Sequence, residues 1–333
     1  MRKSRIECEI DLSREGRQTG FLRYPYSTHE SAYGWLPIPI VSLRHGVGPT
    51  ILVVGGNHGD EYEGQITVAR LCRELQIESV SGQVILLPVA NLPAALVGRR
   101  VSPLDQGNLN RSFPGDPDGG PTAAIAWHIE TELVSRVDLI IDLHAGGSSL
   151  EYIPSALVHD HPEPERHARV MELLKVFGAP VGYVVQQPQG EDRTLMGAAD
   201  RRGILCLGAE LGGGGTVSVR SARIAYEGTC RVLAHLGVAR IDVPAAPPVR
   251  LLDVGGSDYY VHALEEGVFE PLVDLGDEVV AGQDAARIHF PDTPWREPVI
   301  ARFPRAGVVL CRRVPALTRR GDCLFHLGTD IPS

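Results

Sequence analysis

Between Thr50 and Leu211 the chain alternates short, unbroken apolar runs with longer segments in which apolar and polar positions are mixed. The apolar runs are ILVVGG from Ile51, VILLPVAN from Val84, LIIDLHAGG from Leu139 and ILCLGAELGGGG from Ile204. Runs of this length without polar alternation suit strands of a parallel sheet, whose two faces are both covered by crossover helices. The stretches EGQITVARLCREL from Glu63 and PTAAIAWHIETELVSRV from Pro121 predict helices, the second with proline where a first helical turn tolerates it. The expected fold is α/β, a sheet flanked by helices on both faces.

After Gly237 the pattern changes. VPAAPPVR from Val243 is rich in proline and alanine and predicts a linker. Short β-like runs with turn signals follow it. EEGVFEPLVDLGDEVVAGQDAARIHF and RAGVVLCRRVPALTRRGDCLFHLG form two similar halves, each with a Gly-Asp turn. Two domains are therefore expected, a catalytic one over 1–245 and an all-β one over 246–333. The tail resembles the barrel-sandwich fold of lipoyl and biotinyl carrier domains. Such carriers need a lysine at a hairpin tip, and no lysine lies beyond Lys175, so a structural or gating module is expected in place of a swinging arm.

Composition narrows the class. Of 333 residues, 43% are hydrophobic and 22% charged, the balance of a globular protein. A net charge of -9 argues against nucleic acid as a partner, since that affinity comes from clustered basic side chains. No apolar run approaches the roughly 18 residues of a membrane helix, and the basic N-terminus lacks the apolar stretch of a signal peptide. Cys8, Cys72, Cys206, Cys230, Cys311 and Cys323 form no close pair and predict buried free thiols in a reducing compartment, hence a cytoplasmic protein.

The chemistry gathers at the ends of the apolar runs. GGNHGDEYEG, from Gly55 to Gly64, places His58 and Glu61 where a strand delivers its C-terminus, the edge at which open α/β sheets bind ligands. Three residues apart, an imidazole and a carboxylate can converge on one cation if the loop turns into a helix. VDLIIDLHAGG puts His144 at the end of another strand. Two histidines and one glutamate form a standard ligand set for catalytic zinc, which keeps a fourth position open for water. AELGGGG ends a third strand in Glu210, a carboxylate whose burial is costly unless it is paired or used, so Glu210 is a candidate general base. RRVSPLDQGNLNRSFPGDP, from Arg99 to Pro117, carries Asn110 and Arg111 side by side, a donor set suited to a substrate carboxylate.

Taken together, GGNHGDE, NLNRSFPG, DLHAGG and ELGGGG resemble the succinylglutamate desuccinylase and aspartoacylase family, a branch of the zinc carboxypeptidase clan, from about Gly20 to the C-terminus. The resemblance implies a zinc-carboxypeptidase-like mixed sheet flanked by helices and a C-terminal all-β barrel-sandwich domain. It makes His58, Glu61 and His144 the ligands of one Zn2+ and Glu210 the base that also protonates the leaving amine. Asn110 and Arg111 become the clamp on the substrate α-carboxylate, and Arg100 the group that polarises the scissile carbonyl. The partner is then a small-molecule N-acyl amino acid, with no nucleic acid and no membrane, and the resemblance allows a homo-oligomer.

GFLRYPYSTHESAYGWLPIPI, RRVSPLDQGNLNRSFPGDPDG and AELGGGGTVS further resemble the deacetylases of N-α-acetyl-L-2,4-diaminobutyrate in ectoine breakdown. The expected reaction is hydrolysis of that amide to 2,4-diaminobutanoate and acetate. Succinylglutamate, N-acetylaspartate, a peptide substrate and a non-catalytic binding role stay open as alternatives. Arg201 and Arg202 lie near where aspartoacylases hold an arginine for a side-chain carboxylate, so a second substrate carboxylate also stays open.

Overall fold

All four apolar runs form strands, Thr50–Gly55, Gly82–Leu87, Leu139–His144 and Leu205–Glu210, in a computed structural model that describes residues 3–186 and 192–331. They lie parallel and side by side in the order Gly82–Leu87, Thr50–Gly55, Leu139–His144, Leu205–Glu210. The register sets Gly55 opposite Leu143 and His144 opposite Glu210. Three strand ends therefore finish level with one another on a single edge of the sheet, and that edge carries the site.

Antiparallel strands flank this parallel centre and make the sheet mixed. Trp35–His45 and then Gly16–Pro25 extend it beyond Gly82–Leu87. On the other side Ser155–His159 runs antiparallel to Leu205–Glu210, followed by parallel Val181–Val185 and Arg250–Asp253. Alternation along each strand sends successive side chains to opposite faces. Ile51 and Val53 thus join one core with residues of the helices Tyr62–Glu74, Pro164–Phe177 and Val219–His235. Leu52 and Val54 join a second core with residues of Pro121–His128 and Leu195–Arg201. A fully buried Leu or Ile contributes roughly 1.5–3 kcal/mol, so both faces are firmly held.

The segment from Pro121 is helical as expected but changes pitch, passing from α-helix into a wider turn at Ile129–Leu133 and a tight one at Val134–Arg136. Thr131 and Ser135 each bond the carbonyl four residues earlier, at 2.7 and 2.6 Å, an arrangement that loosens a helix by competing with its own amides.

From Arg250 onward the described elements are strands and one short turn of 3-10 helix, Ser257–Tyr259. Cys323–Asp330, Gly307–Arg313 and Glu278–Val279 continue the main sheet outward from Arg250–Asp253. A four-stranded sheet of Val299–Arg302, Asp284–His289, Gly267–Pro271 and Leu317–Thr318 shares a core with them, built on Phe269, Ile288, Phe303 and Phe325. The two Gly-Asp turns are present, with Gly276 and Gly321 at φ of 90° and 89°, where a side chain is disfavoured. Leu150–Tyr152, far upstream, pairs with Gly307–Arg313 and ties the two regions a second time.

All six cysteines are free, but only Cys206, Cys230 and Cys311 are buried; Cys8, Cys72 and Cys323 are half-buried. Among the described residues no helix is long and apolar enough to cross a membrane.

Candidate functional site

The turn after Thr50–Gly55 brings the chain straight into the helix Tyr62–Glu74, with Glu61 in the residue position just before it. Glu61 has an extended backbone and its side chain caps nothing, which leaves the carboxylate free to face the strand ends. Gly64 permits the approach, because a Cβ there would stand 2.6 Å from the Leu143 carbonyl oxygen.

Glu61 then lies between two imidazoles. Its Oε1 is 2.6 Å from His58 Nδ1 and its Oε2 is 2.8 Å from His144 Nδ1. The opposite nitrogens are held by oxygens, His144 Nε2 at 3.0 Å from Asp142 Oδ2 and His58 Nε2 at 3.1 Å from Asn108 Oδ1. Asp142 is itself fixed by Asn57 Nδ2 at 3.0 Å. With a metal bound at Nδ1, such outer partners would hold the proton on Nε2 and keep each ring in its present orientation. Three ligand atoms of His58, Glu61 and His144 lie within 4.8 Å of one another, and all three residues are buried. Two imidazole nitrogens and a carboxylate oxygen that converge in this way make a donor set that fits a divalent metal.

The electrostatics agree. Burial disfavours the Glu61 carboxylate, yet the charges of His58 and His144 and their hydrogen bonds hold it well below its ordinary range. Burial likewise opposes a charge on His144, but Asp142 and Glu61 outweigh it and hold that imidazole well above its ordinary value. His58, by contrast, is pulled down, chiefly by burial.

Glu210 stands opposite His144 in the parallel register. Its Oε2 is shut from solvent and has no hydrogen-bond partner among the described residues. Burial first, and the Glu61 charge second, push its carboxyl up to about 8. A cation held by the triad would favour the ionised form instead.

The irregular segment after Gly82–Leu87 supplies the remaining groups. Arg100 Nη1 reaches Glu61 Oε1 at 3.2 Å and His58 Nδ1 at 3.3 Å. Asn110 accepts from the Leu195 amide at 2.8 Å, which turns its Nδ2 toward His144 Nε2 at 3.2 Å. Arg111 Nη1 donates to the Asn110 carbonyl at 2.7 Å. His58, Glu61, Arg100, Asn110, Arg111, His144 and Glu210 all line one cavity of about 520 Å³. Arg201 and Arg202 do not line it; both turn to Glu130, at 2.8 and 3.6 Å, so nothing favours their gripping a substrate carboxylate.

Sequence reasoning missed Asp142, although its place two residues before His144 in a strand puts both side chains on one face. It also missed the cavity wall formed by Tyr152, Leu157, His159, Asp192 and Met196. The strand Ser155–His159 bears a run too short and too ordinary to be seen as part of the sheet.

The family model described as the succinylglutamate desuccinylase/aspartoacylase catalytic domain matches residues 47–236. A curated relative, the N-alpha-acetyl-L-2,4-diaminobutyric acid deacetylase of Halomonas elongata, is 41% identical over 335 residues, covering 100% of this chain and 97% of its own length. The chain belongs to the succinylglutamate desuccinylase/aspartoacylase family. Solved structures of similar proteins agree across the whole length. The product-bound ectoine utilization protein EutE (DoeB) of Ruegeria pomeroyi is 38% identical with a TM-score of 0.93, covering 98% of this chain and 100% of its own. A succinylglutamate desuccinylase/aspartoacylase of Rhodobacter sphaeroides is also 38% identical, with a TM-score of 0.94 and coverage of 99% and 100%. In this family member the matched stretch contains all seven cavity residues expected from sequence, while the strands from Arg250 onward lie outside it.

Proposed function

We propose that the protein is a zinc-dependent hydrolase that converts N2-acetyl-L-2,4-diaminobutanoate to 2,4-diaminobutanoate and acetate. The observation that carries this reading is the buried meeting of His58, Glu61 and His144 in one cavity with Glu210, whose Oε2 has no hydrogen-bond partner among the described residues. Full-length identity of 41% to a deacetylase of that substrate supports the choice of amide.

His58, Glu61 and His144 would hold the metal. Zinc bound there supplies a Lewis acid and a water acidic enough to ionise near neutral pH. Arg111 and Asn110 hold the substrate α-carboxylate, Arg111 through a rigid two-pronged guanidinium. Arg100 presents N–H groups to the scissile carbonyl oxygen and stabilises the negative charge that gathers on it as water adds. Glu210 takes the proton from the attacking water at its free Oε2. It returns that proton to the amine nitrogen as the C–N bond breaks, which keeps the departing group neutral. Acetate takes the water oxygen, and the free amino acid takes the proton.

Residues 1–245 form the catalytic unit and 246–333 a barrel-sandwich without a carrier lysine, supported by the separate core around Phe269, Ile288, Phe303 and Phe325. The six free thiols support a cytoplasmic location.

Purified protein, loaded with zinc, is offered N2-acetyl-L-2,4-diaminobutanoate, N-succinylglutamate and N-acetylaspartate, and released amine is measured beside zinc content. One zinc per chain and preferential release from the first substrate are expected. No release from any of them with zinc bound would overturn the enzymatic reading, and preference for either dicarboxylic substrate would overturn the substrate.

A further inference from the structure

The cavity wall away from the triad carries a second, oppositely charged feature. Asp192 lines it, together with His159 and the apolar side chains of Tyr152, Leu157, Val185 and Met196. Asp192 Oδ1 is fully engaged, accepting from the Thr194 amide at 2.9 Å and the Thr194 hydroxyl at 2.6 Å. Its Oδ2 is shut from solvent and has no hydrogen-bond partner among the described residues. A buried carboxylate oxygen left in this way is expensive unless a donor arrives to fill it.

The nearest opposite group does not fill it. His159 is buried, and its Nε2 stands 3.6 Å from Asp192 Oδ2, beyond hydrogen-bond reach. His159 Nδ1 is 2.6 Å from Asp200 Oδ2, which fixes the ring with its Nε2 turned toward Asp192. Asp192 and His159 thus stand side by side in the cavity wall, and among the described residues neither Asp192 Oδ2 nor the gap between them is filled by a hydrogen-bond donor. Gly197 makes room for this arrangement, since a Cβ there would stand 2.4 Å from Asp192 Cγ.

We infer that Asp192 and His159 form the subsite for a side-chain ammonium, so that the cavity selects N-acetyl amino acids bearing a short cationic side chain. An ammonium carries three N–H donors and a positive charge, enough to satisfy Asp192 Oδ2 and His159 Nε2 at once. A carboxylate in the same place would meet a like charge. The apolar neighbours sharpen both effects by lowering the local dielectric. Asn110 links the two ends of the cavity. Asn110 stands 3.2 Å from His144 Nε2 through its amide nitrogen and 2.8 Å from the Leu195 amide through its oxygen, and Leu195 lies three residues after Asp192. With Arg111 and Asn110 on the α-carboxylate and Asp192 on the side chain, the amide is oriented by groups of opposite sign at its two ends.

This inference rests on the deacetylase reading of the cavity, and the test separates the two. Wild type and Asp192→Asn are compared on N2-acetyl-2,4-diaminobutanoate and on N2-acetyl-2-aminobutanoate, which has the same skeleton up to Cγ and no amine. Asparagine keeps an oxygen for the Thr194 amide and hydroxyl while placing an N–H where Oδ2 was. A hydrogen bond to a charged group accounts for a selectivity of about 10- to 100-fold. Wild type should favour the amine-bearing substrate by that ratio in kcat/KM, and Asp192→Asn should erase the preference, chiefly through KM. An unchanged ratio in the variant, or no preference in wild type, overturns the subsite.

If neither substrate is hydrolysed, the function proposed above fails and calorimetry still decides the subsite. Titrated 2,4-diaminobutanoate should then bind wild type more tightly than 2-aminobutanoate does, with the difference lost in the variant; equal binding overturns it. Should Asp192→Asn melt well below wild type, Asp192→Ser, whose hydroxyl can also accept from Thr194, provides the same ratio.

Discussion

Replacing Glu210 with glutamine probes the proton transfer with little change of shape. The carboxylate Oε2 touches no donor among the described residues, so the amide that replaces it breaks no existing hydrogen bond. Glu210 is not one of the three converging donors, and zinc should remain at one per chain. What is lost is a cavity-wall carboxylate that lies level with His144 and whose Oε2 has no hydrogen-bond partner among the described residues. Positioned general acid–base groups contribute about two to four orders of magnitude, which corresponds to about 3 to 5 kcal/mol of barrier at 1.36 kcal/mol per tenfold. The assay is amine release at saturating substrate, with KM and metal content measured on the same preparation. The expected result is a fall in kcat of about a hundredfold or more, with KM little moved. Near wild-type turnover with zinc retained would refute the assignment, and loss of zinc would show that Glu210 is needed to hold the metal.

Arg111→Ala should raise KM for N-acetyl amino acids far more than for the corresponding amides, and equal effects on both would remove the carboxylate clamp. Asp142→Asn takes the anionic partner from His144 Nε2 and should weaken zinc binding by about 10- to 100-fold; competition with a chelator measures it, and unchanged affinity would show that Asp142 does not orient the ring. His326 is buried under Tyr260, its ring stacked at 4.2 Å, and burial lowers its pKa from 6.5 to about 4. The unfolded chain then binds more protons than the folded one between those values, so stability falls as pH drops from 6.5 toward 4, by at most about 3 kcal/mol. Urea melts at pH 7, 5 and 4 should show that slope diminished in His326→Phe; an identical slope would mean that His326 is not its source.

Four residues of the site were legible because His144 and Glu210 end strands, and His58 and Glu61 closely follow one, whose apolar runs are unmistakable. His144 and Glu210 follow LIIDL and ILCLGA directly, and register alone then sets them opposite each other. His58 and Glu61 follow ILVV at a spacing suited to one cation. What stayed hidden depends on contacts between segments remote in sequence. Asp192 gains its meaning from His159, 33 positions earlier on a strand of only five residues. Asn108 differs in no local way from Asn110, yet one faces His58 and the other His144. The antiparallel strands Gly16–Pro25 and Trp35–His45 are broken by proline and arginine and carry no long apolar run, so the parallel centre was far plainer than its flanks.

Leu150 and Tyr152 line the cavity, and the same three-residue strand hydrogen-bonds to Gly307–Arg313, with Tyr152 paired to Cys311. Arg250–Asp253 is likewise stitched between Val181–Val185 and Cys323–Asp330. The C-terminal quarter is thus mortared into the wall of the cavity, even though it contributes none of the three converging side chains His58, Glu61 and His144. A protease cut in the proline-rich connector would leave two fragments still laced together by main-chain bonds, whereas deleting the tail outright would bare a raw sheet edge and slacken one side of the chamber.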